Sequence, residues 1–248
     1  MSIAVRAWRR SCKVLTTTGA LALQVIGLGT LELTVALGFW GWVAGVAHLV
    51  VLTTLLMHGA HRAQLPGLGM ANAVTLVRAL LGGQVLALTI ALLVGDSEAL
   101  AVMIGIAVVA IALDGVDGQV ARRTHNCSDF GARFDLEADA FLVMVLSVYA
   151  AVTLGWWVLA IGLMRYGFVL AAQLAPWLNR SLPVRMDRKV VAVMQMLGLV
   201  VASSGVLPTP YAQGLLAVSL TALCWSFGRD VLWLWQRRDA PRQAEMDS

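Results

Sequence analysis

Runs of about twenty apolar residues recur along almost the whole chain, each closed by a short polar or glycine-containing break. Eight of them are long enough for a membrane helix: 15–36, 39–57, 73–94, 98–118, 136–153, 156–176, 190–206 and 211–232. A helix rises about 1.5 Å per residue, so roughly twenty such residues cross a hydrocarbon layer of about 30 Å. The pattern predicts an all-α fold, a polytopic membrane bundle of eight spans. The stretch His58 to Gly69 is polar and glycine-rich and divides the chain. Before it lies a basic segment followed by two spans (1–65). After it come a six-span part (66–238) and a polar tail (239–248).

Composition agrees with this reading, for 59% of the residues are hydrophobic and 13% charged, with a mean hydropathy of +0.80. The few charges are ordered along the chain. Lys and Arg gather at 6–13, at Arg62 and Arg78, and at 122–133, 180–189 and 229–242. The alternate breaks, near 37, 95–98, 154 and 207–210, hold no Lys or Arg but do hold Asp96 and Glu98. The positive-inside rule therefore places both termini in the cytoplasm, in a multi-pass protein expected in the cell (plasma) membrane. Orientation and anionic lipid headgroups account for the net charge of +4, and no nucleic-acid motif is present.

Several features carry no chemistry of their own. Cys12, Cys127 and Cys224 form no CxxC pair, so neither a zinc site nor a disulfide framework is indicated. Met1 to Lys13 is basic, but the apolar run behind it is long and lacks a convincing cleavage site, which reads as a retained anchor. Trp40, Trp42, Trp156, Trp157, Trp177, Trp233 and Trp235 fall near span ends, where indoles prefer the headgroup region. Glu32 is an intramembrane acid expected either to pair with a basic group or to face a cavity.

The chemistry concentrates between Asp114 and Asp139. Asp114 and Asp117 are three apart and Asp135 and Asp139 four apart, so each pair shares a helix face. If the two apolar runs are antiparallel helices joined by Arg122 to Asp129, both faces can converge on one point. Carboxylates beside membrane-length apolar sequence are expensive and are expected to function. Four of them need cations, and hard oxygen ligands that leave room for water and phosphate suit Mg²⁺ or Mn²⁺, with two ions sharing the set. Gly115, Gly118, Ala121 and Gly131 leave faces without side chains where a bulky nucleotide can approach, and Arg122 is placed to meet a phosphate.

These residues stand in the order D-x2-D-G-x2-A-R-x8-G-x3-D-x3-D, which resembles the signature of the CDP-alcohol phosphotransferase family at every defined position. The segment Ala71-Asn72-Ala73-Val74-Thr75-Leu76-Val77-Arg78 is similar to the Pro-Asn-x-x-Thr-x-x-Arg start of the family's first core span, with Ala71 in place of Pro. The resemblance implies transfer of a substituted phosphate from a CDP-alcohol, CDP-diacylglycerol first among them, to the hydroxyl of a small alcohol, releasing CMP. It implies that Asp114, Asp117 and Asp135 hold the metal ions, and that Asp139 both contacts a metal and takes the proton from the attacking hydroxyl. Gly118, Ala121, Arg122 and Gly131 would hold the cytidine and pyrophosphate, with Asn72, Thr75 and Arg78 at the nucleotide end. A homodimer is a further expectation by resemblance, with membrane lipids as the surroundings.

The acceptor is less marked. Arg180, Arg185, Arg188 and Lys189 lie within one cytoplasmic connection, which as a group suggests an anionic acceptor. Relatives that use glycerol phosphate show a Gly-Lys-x-Lys-Thr pattern there, and only its first Lys has a counterpart. Arg165, in mid-span, either pairs with an aspartate or Glu32 or lines the acceptor pocket with Arg185 and Lys189. Two rival classes remain: a membrane cation transporter, against which Arg122 and its small neighbours speak, and an idle scaffold, against which four intact aspartates speak.

Overall fold

A computed structural model describes the backbone of residues 3–62, 70–95, 99–124, 129–179 and 186–237, and the side chains of 18–59, 73–95, 99–115, 131–175, 177–178 and 187–237. All regular structure among them is helical. In chain order the α-helices are α1 (Ile3–Val35), α2 (Gly38–Arg62), α3 (Met70–Val94), α4 (Ala99–Thr124), α5 (Asp129–Leu154), α6 (Leu159–Leu174), α7 (Met186–Ser203) and α8 (Thr209–Gln236). Short 3₁₀ turns, Trp156–Val158 and Pro176–Asn179, flank α6.

The sequence breaks become helix ends for identifiable reasons. Gly95 (φ +125°) and Gly155 (φ +126°) adopt backbone conformations that side chains disfavour. Their N–H groups bond back to the Ala91 and Ala151 carbonyls, which closes α3 and α5. Between α1 and α2 only two residues intervene, and the Trp42 indole N–H donates to Glu32 Oε2 at 2.9 Å. Glu32 thus finds a neutral indole donor in its own hairpin.

Among the described residues, six helices are long and apolar enough to cross a membrane: Thr18–Val35, Gly38–Gly59, Ala73–Val94, Gly131–Leu154, Trp156–Leu174 and Thr209–Gln236. Large apolar side chains such as Leu33, Val50, Leu55, Leu174, Val218 and Trp225 point outward, as they do when lipid is the solvent. This is an integral multi-pass membrane protein. The other two helices, α4 and α7, carry shorter apolar stretches among the described residues. The apolar part of α4 among the described residues is Ala99–Gly115, within the expected span 98–118. α7 opens with Asp187, Arg188 and Lys189, which leaves it a shorter apolar stretch.

The chain forms two compact units, 1–149 and 150–248. In the first, α3 is the central helix, packing most extensively on α4 and α2 and also on α1. Its core includes Leu28, Val85, Leu88, Met103 and Leu146. In the second, α7 packs on α8, with Ile161, Leu199, Leu216 and Leu234 buried. Two glutamine amides serve its backbone: buried Gln195 donates to the Ile161 carbonyl at 3.2 Å and Gln213 to the Leu154 carbonyl at 2.8 Å.

Candidate active site

The site is built at one end of three consecutive helices. Arg78 lies about two turns into α3 and Asp135 nearly two turns into α5. Asp114 lies in the second half of α4, which runs back toward the same end. The up-and-down course of α3, α4 and α5 thus collects residues far apart in sequence.

Arg78 is the centre of the arrangement. Its Nη1 lies 2.8 Å from Asp114 Oδ1 and 2.5 Å from Asp135 Oδ1, and its Nη2 donates to Asp139 Oδ1. The guanidinium is almost fully buried, with 3% of its side chain exposed, whereas the three carboxylates keep 29–39%. One oxygen from each of Asp114, Asp135 and Asp139 lies within 4.8 Å of the others. Three carboxylates face one guanidinium, in a bundle whose low polarity strengthens their electrostatic interactions. Such a set of hard oxygen donors fits a divalent cation of the Mg²⁺ or Mn²⁺ kind.

The expected sharing of a face by Asp135 and Asp139 holds, since both carboxylates reach one guanidinium. Thr75 is buried on α3, one turn before Arg78. Gly131 lies in the first turn of α5, partly exposed. The side chains of Asn72, Asp117, Gly118, Ala121, Arg122 and Arg185 lie outside the described residues. Sequence reading placed Arg78 at the nucleotide end. The fold puts its guanidinium among the carboxylates themselves.

In the second unit, the cationic group at the start of α7 is engaged with α8. Arg188 Nε lies 3.2 Å from Asp230 Oδ2, and Arg229 Nη2 lies 2.5 Å from Asp187 Oδ2. An acidic-basic dipeptide on one helix meets a basic-acidic dipeptide on the other. Sequence reading passed over Asp230, though an acid inside an expected span was the available signal. Lys189 points outward and Arg165 is half-buried on α6.

Residues 68–225 match the model of the CDP-alcohol phosphatidyltransferase family. The chain belongs to that family. No curated protein and no solved structure matches it. The matched segment runs from just before α3 into α8 and contains the whole carboxylate cluster. The chain is therefore a transferase of substituted phosphate groups. It takes a CDP-alcohol and an alcohol acceptor among membrane lipids, in a family that uses divalent metal. The helices α1 and α2 lie outside the match.

Proposed function

We propose that this CDP-alcohol phosphatidyltransferase moves a phosphatidyl group from CDP-diacylglycerol to the hydroxyl of a small phosphorylated alcohol, releasing CMP, in phospholipid synthesis at the cytoplasmic face of the cell membrane. The observation that carries the proposal is the convergence of Asp114, Asp135 and Asp139 on one point of a membrane bundle.

The acceptor oxygen attacks the phosphorus that carries the diacylglycerol. The bond from that phosphorus to the bridging anhydride oxygen breaks, CMP leaves with that oxygen, and Asp139 accepts the hydroxyl proton. Asp114, Asp117 and Asp135, with Asp139, would hold two divalent ions, which supply charge neutralisation to the diphosphate when bound. Arg78 holds Asp135 and Asp139 at fixed spacing from α3 and lends positive charge beside the phosphates. Gly118, Ala121 and Gly131 give the nucleotide a close approach, with Arg122, Asn72 and Thr75 at its polar edge. Orientation follows from the Lys and Arg distribution, which puts the connections next to this site in the cytoplasm.

A phosphorylated acceptor is supported by the basic character of residues 180–189. Arg165, Arg185, Arg188 and Lys189 are the candidates for the acceptor phosphate, with Arg188 also engaged with Asp230. The test is CMP release by the purified protein in nanodiscs, with CDP-diacylglycerol, Mg²⁺ or Mn²⁺ and a panel of single alcohols, beside Asp139→Asn. Acceptor-dependent release that the variant loses supports the proposal. Donor binding without release under any acceptor overturns the choice of donor or acceptor class.

A further inference from the structure

Glycine inside a helix costs about 1 kcal/mol relative to alanine, and Gly82 and Gly83 stand together in the middle of α3. Both receive side chains from other helices. A methyl on Gly82 would stand 3.3 Å from Phe141 Cδ1 of α5. One on Gly83 would overlap the His48 imidazole of α2 and come within 2.9 Å of Gln24 Nε2 of α1. The two rings so received stack on each other, with centroids 4.7 Å apart and planes inclined by 27°. The packing is reciprocal, because the Gln84 amide of α3 in turn lies over Gly27 of α1.

Closer to the carboxylates, Phe134 and Ala138 of α5 pack on a buried cluster of Ala20 from α1, Leu49 and Leu52 from α2, and Leu76, Ala79 and Leu80 from α3. Phe134, Ala138 and Phe141 follow one another at four and three residues, so they form one stripe along α5. Asp135 and Asp139 form the neighbouring stripe, one residue and about 100° around the helix. The apolar stripe is fixed against α1, α2 and α3, which in turn fixes where the acidic stripe points. A turn of α5 that freed Phe141 from its seat would carry Asp139 away from Arg78.

We propose that the N-terminal pair α1 and α2, outside the family match, is a positioning element of the carboxylate site. His48 is its positioning residue, acting through Phe141 to set the rotation of α5 and the aim of Asp139. The inference rests on the reading of Asp139 as a group at the reaction centre. His48 Nδ1 makes no hydrogen bond among the described residues, so the ring serves by its shape and its stacking. Another aromatic ring therefore replaces it.

The experiment uses the full chain in nanodiscs, with its three cysteines replaced for labelling and spin labels at Val94 on α3 and Leu136 on α5, both exposed. Electron-spin distance measurement is read beside CMP release. His48→Ala is expected to broaden the distance distribution, lower kcat about tenfold or more and raise the Mg²⁺ concentration needed for half-maximal activity, since Asp135 and Asp139 move together. His48→Phe is expected to restore all three, and Phe141→Leu to weaken the pair if His48→Ala fails to fold. Unchanged distances and kcat in His48→Ala, or a Phe variant no better than Ala, overturn the inference. If the unsubstituted protein releases no CMP, the reaction assignment fails. The distances then decide alone: broadening that Phe reverses supports the positioning role, and an unchanged distribution overturns it.

Discussion

Arg78 Nη1 on α3 lies 2.5 Å from Asp135 Oδ1 on α5. The contact joins residues 57 apart in sequence and places a buried guanidinium where a divalent cation is expected to bind. Removing Arg78 takes away the guanidinium that Asp114, Asp135 and Asp139 share. Breaking a fully buried ion pair costs about 3–5 kcal/mol, and the partial exposure of these carboxylates reduces that to about 2–3 kcal/mol. Arg78→Ala should melt well below the unsubstituted protein in EDTA and recover part of the loss in Mg²⁺. A loss that Mg²⁺ does not reduce would separate Arg78 from the metal-binding charge.

Asp139 and its neighbours should divide by role. Asp139→Asn keeps the shape and loses the base, so CDP-diacylglycerol binding should persist while turnover falls about 10²- to 10⁴-fold. Asp114→Ala and Asp135→Ala should lower both donor affinity and rate and raise the Mg²⁺ concentration needed for half-maximal activity. Calorimetric donor binding and a metal titration of CMP release check both. Metal dependence unchanged from the unsubstituted protein in both alanine variants would remove these residues from the ligand set.

Chelation should abolish CMP release and Mg²⁺ or Mn²⁺ should restore it, because one oxygen from each of Asp114, Asp135 and Asp139 lies within 4.8 Å of the others. Full activity after exhaustive dialysis against EDTA would contradict a metal-dependent reaction.

Gly83 and Gly105 offer a matched pair. Gly105 on α4 has nothing within 4 Å of an added methyl, so Gly105→Ala should stabilise by about 0.5–1 kcal/mol through helix propensity. Gly83→Ala gains the same propensity but overlaps His48 and crowds Gln24, and overpacking costs about 1–3 kcal/mol. Thermal melts in one detergent should move in opposite directions.

The two ion pairs between α7 and α8 should differ in strength. Asp187 and Arg229 keep 42% and 30% of their side chains exposed, so a double-mutant cycle should return about 0.5–1 kcal/mol. Asp230 keeps 11%, so Arg188→Ala strands a nearly buried carboxylate and should cost about 1–3 kcal/mol. Arg229→Ala being the more damaging change would reverse this ranking.

The sequence alone determined that the chain is a helical membrane protein, since twenty apolar residues in a row have no other stable use and the breaks between them are set by local charge and glycine. Periodicity also brought out the shared face of Asp135 and Asp139, and the reaction class was legible only through the resemblance of the order D-x2-D-G-x2-A-R-x8-G-x3-D-x3-D to a family signature. Only the tertiary structure decided that Arg78 lies among those carboxylates, that Arg188 and Arg229 are engaged with Asp230 and Asp187, and that Gly82 and Gly83 seat the stacked Phe141 and His48. Each of these joins side chains on different helices. Helical periodicity fixes which side of its own helix a residue occupies, but the rotation and depth of one helix against another are set by the fit of side chains across the interface. That fit belongs to all the packed helices together.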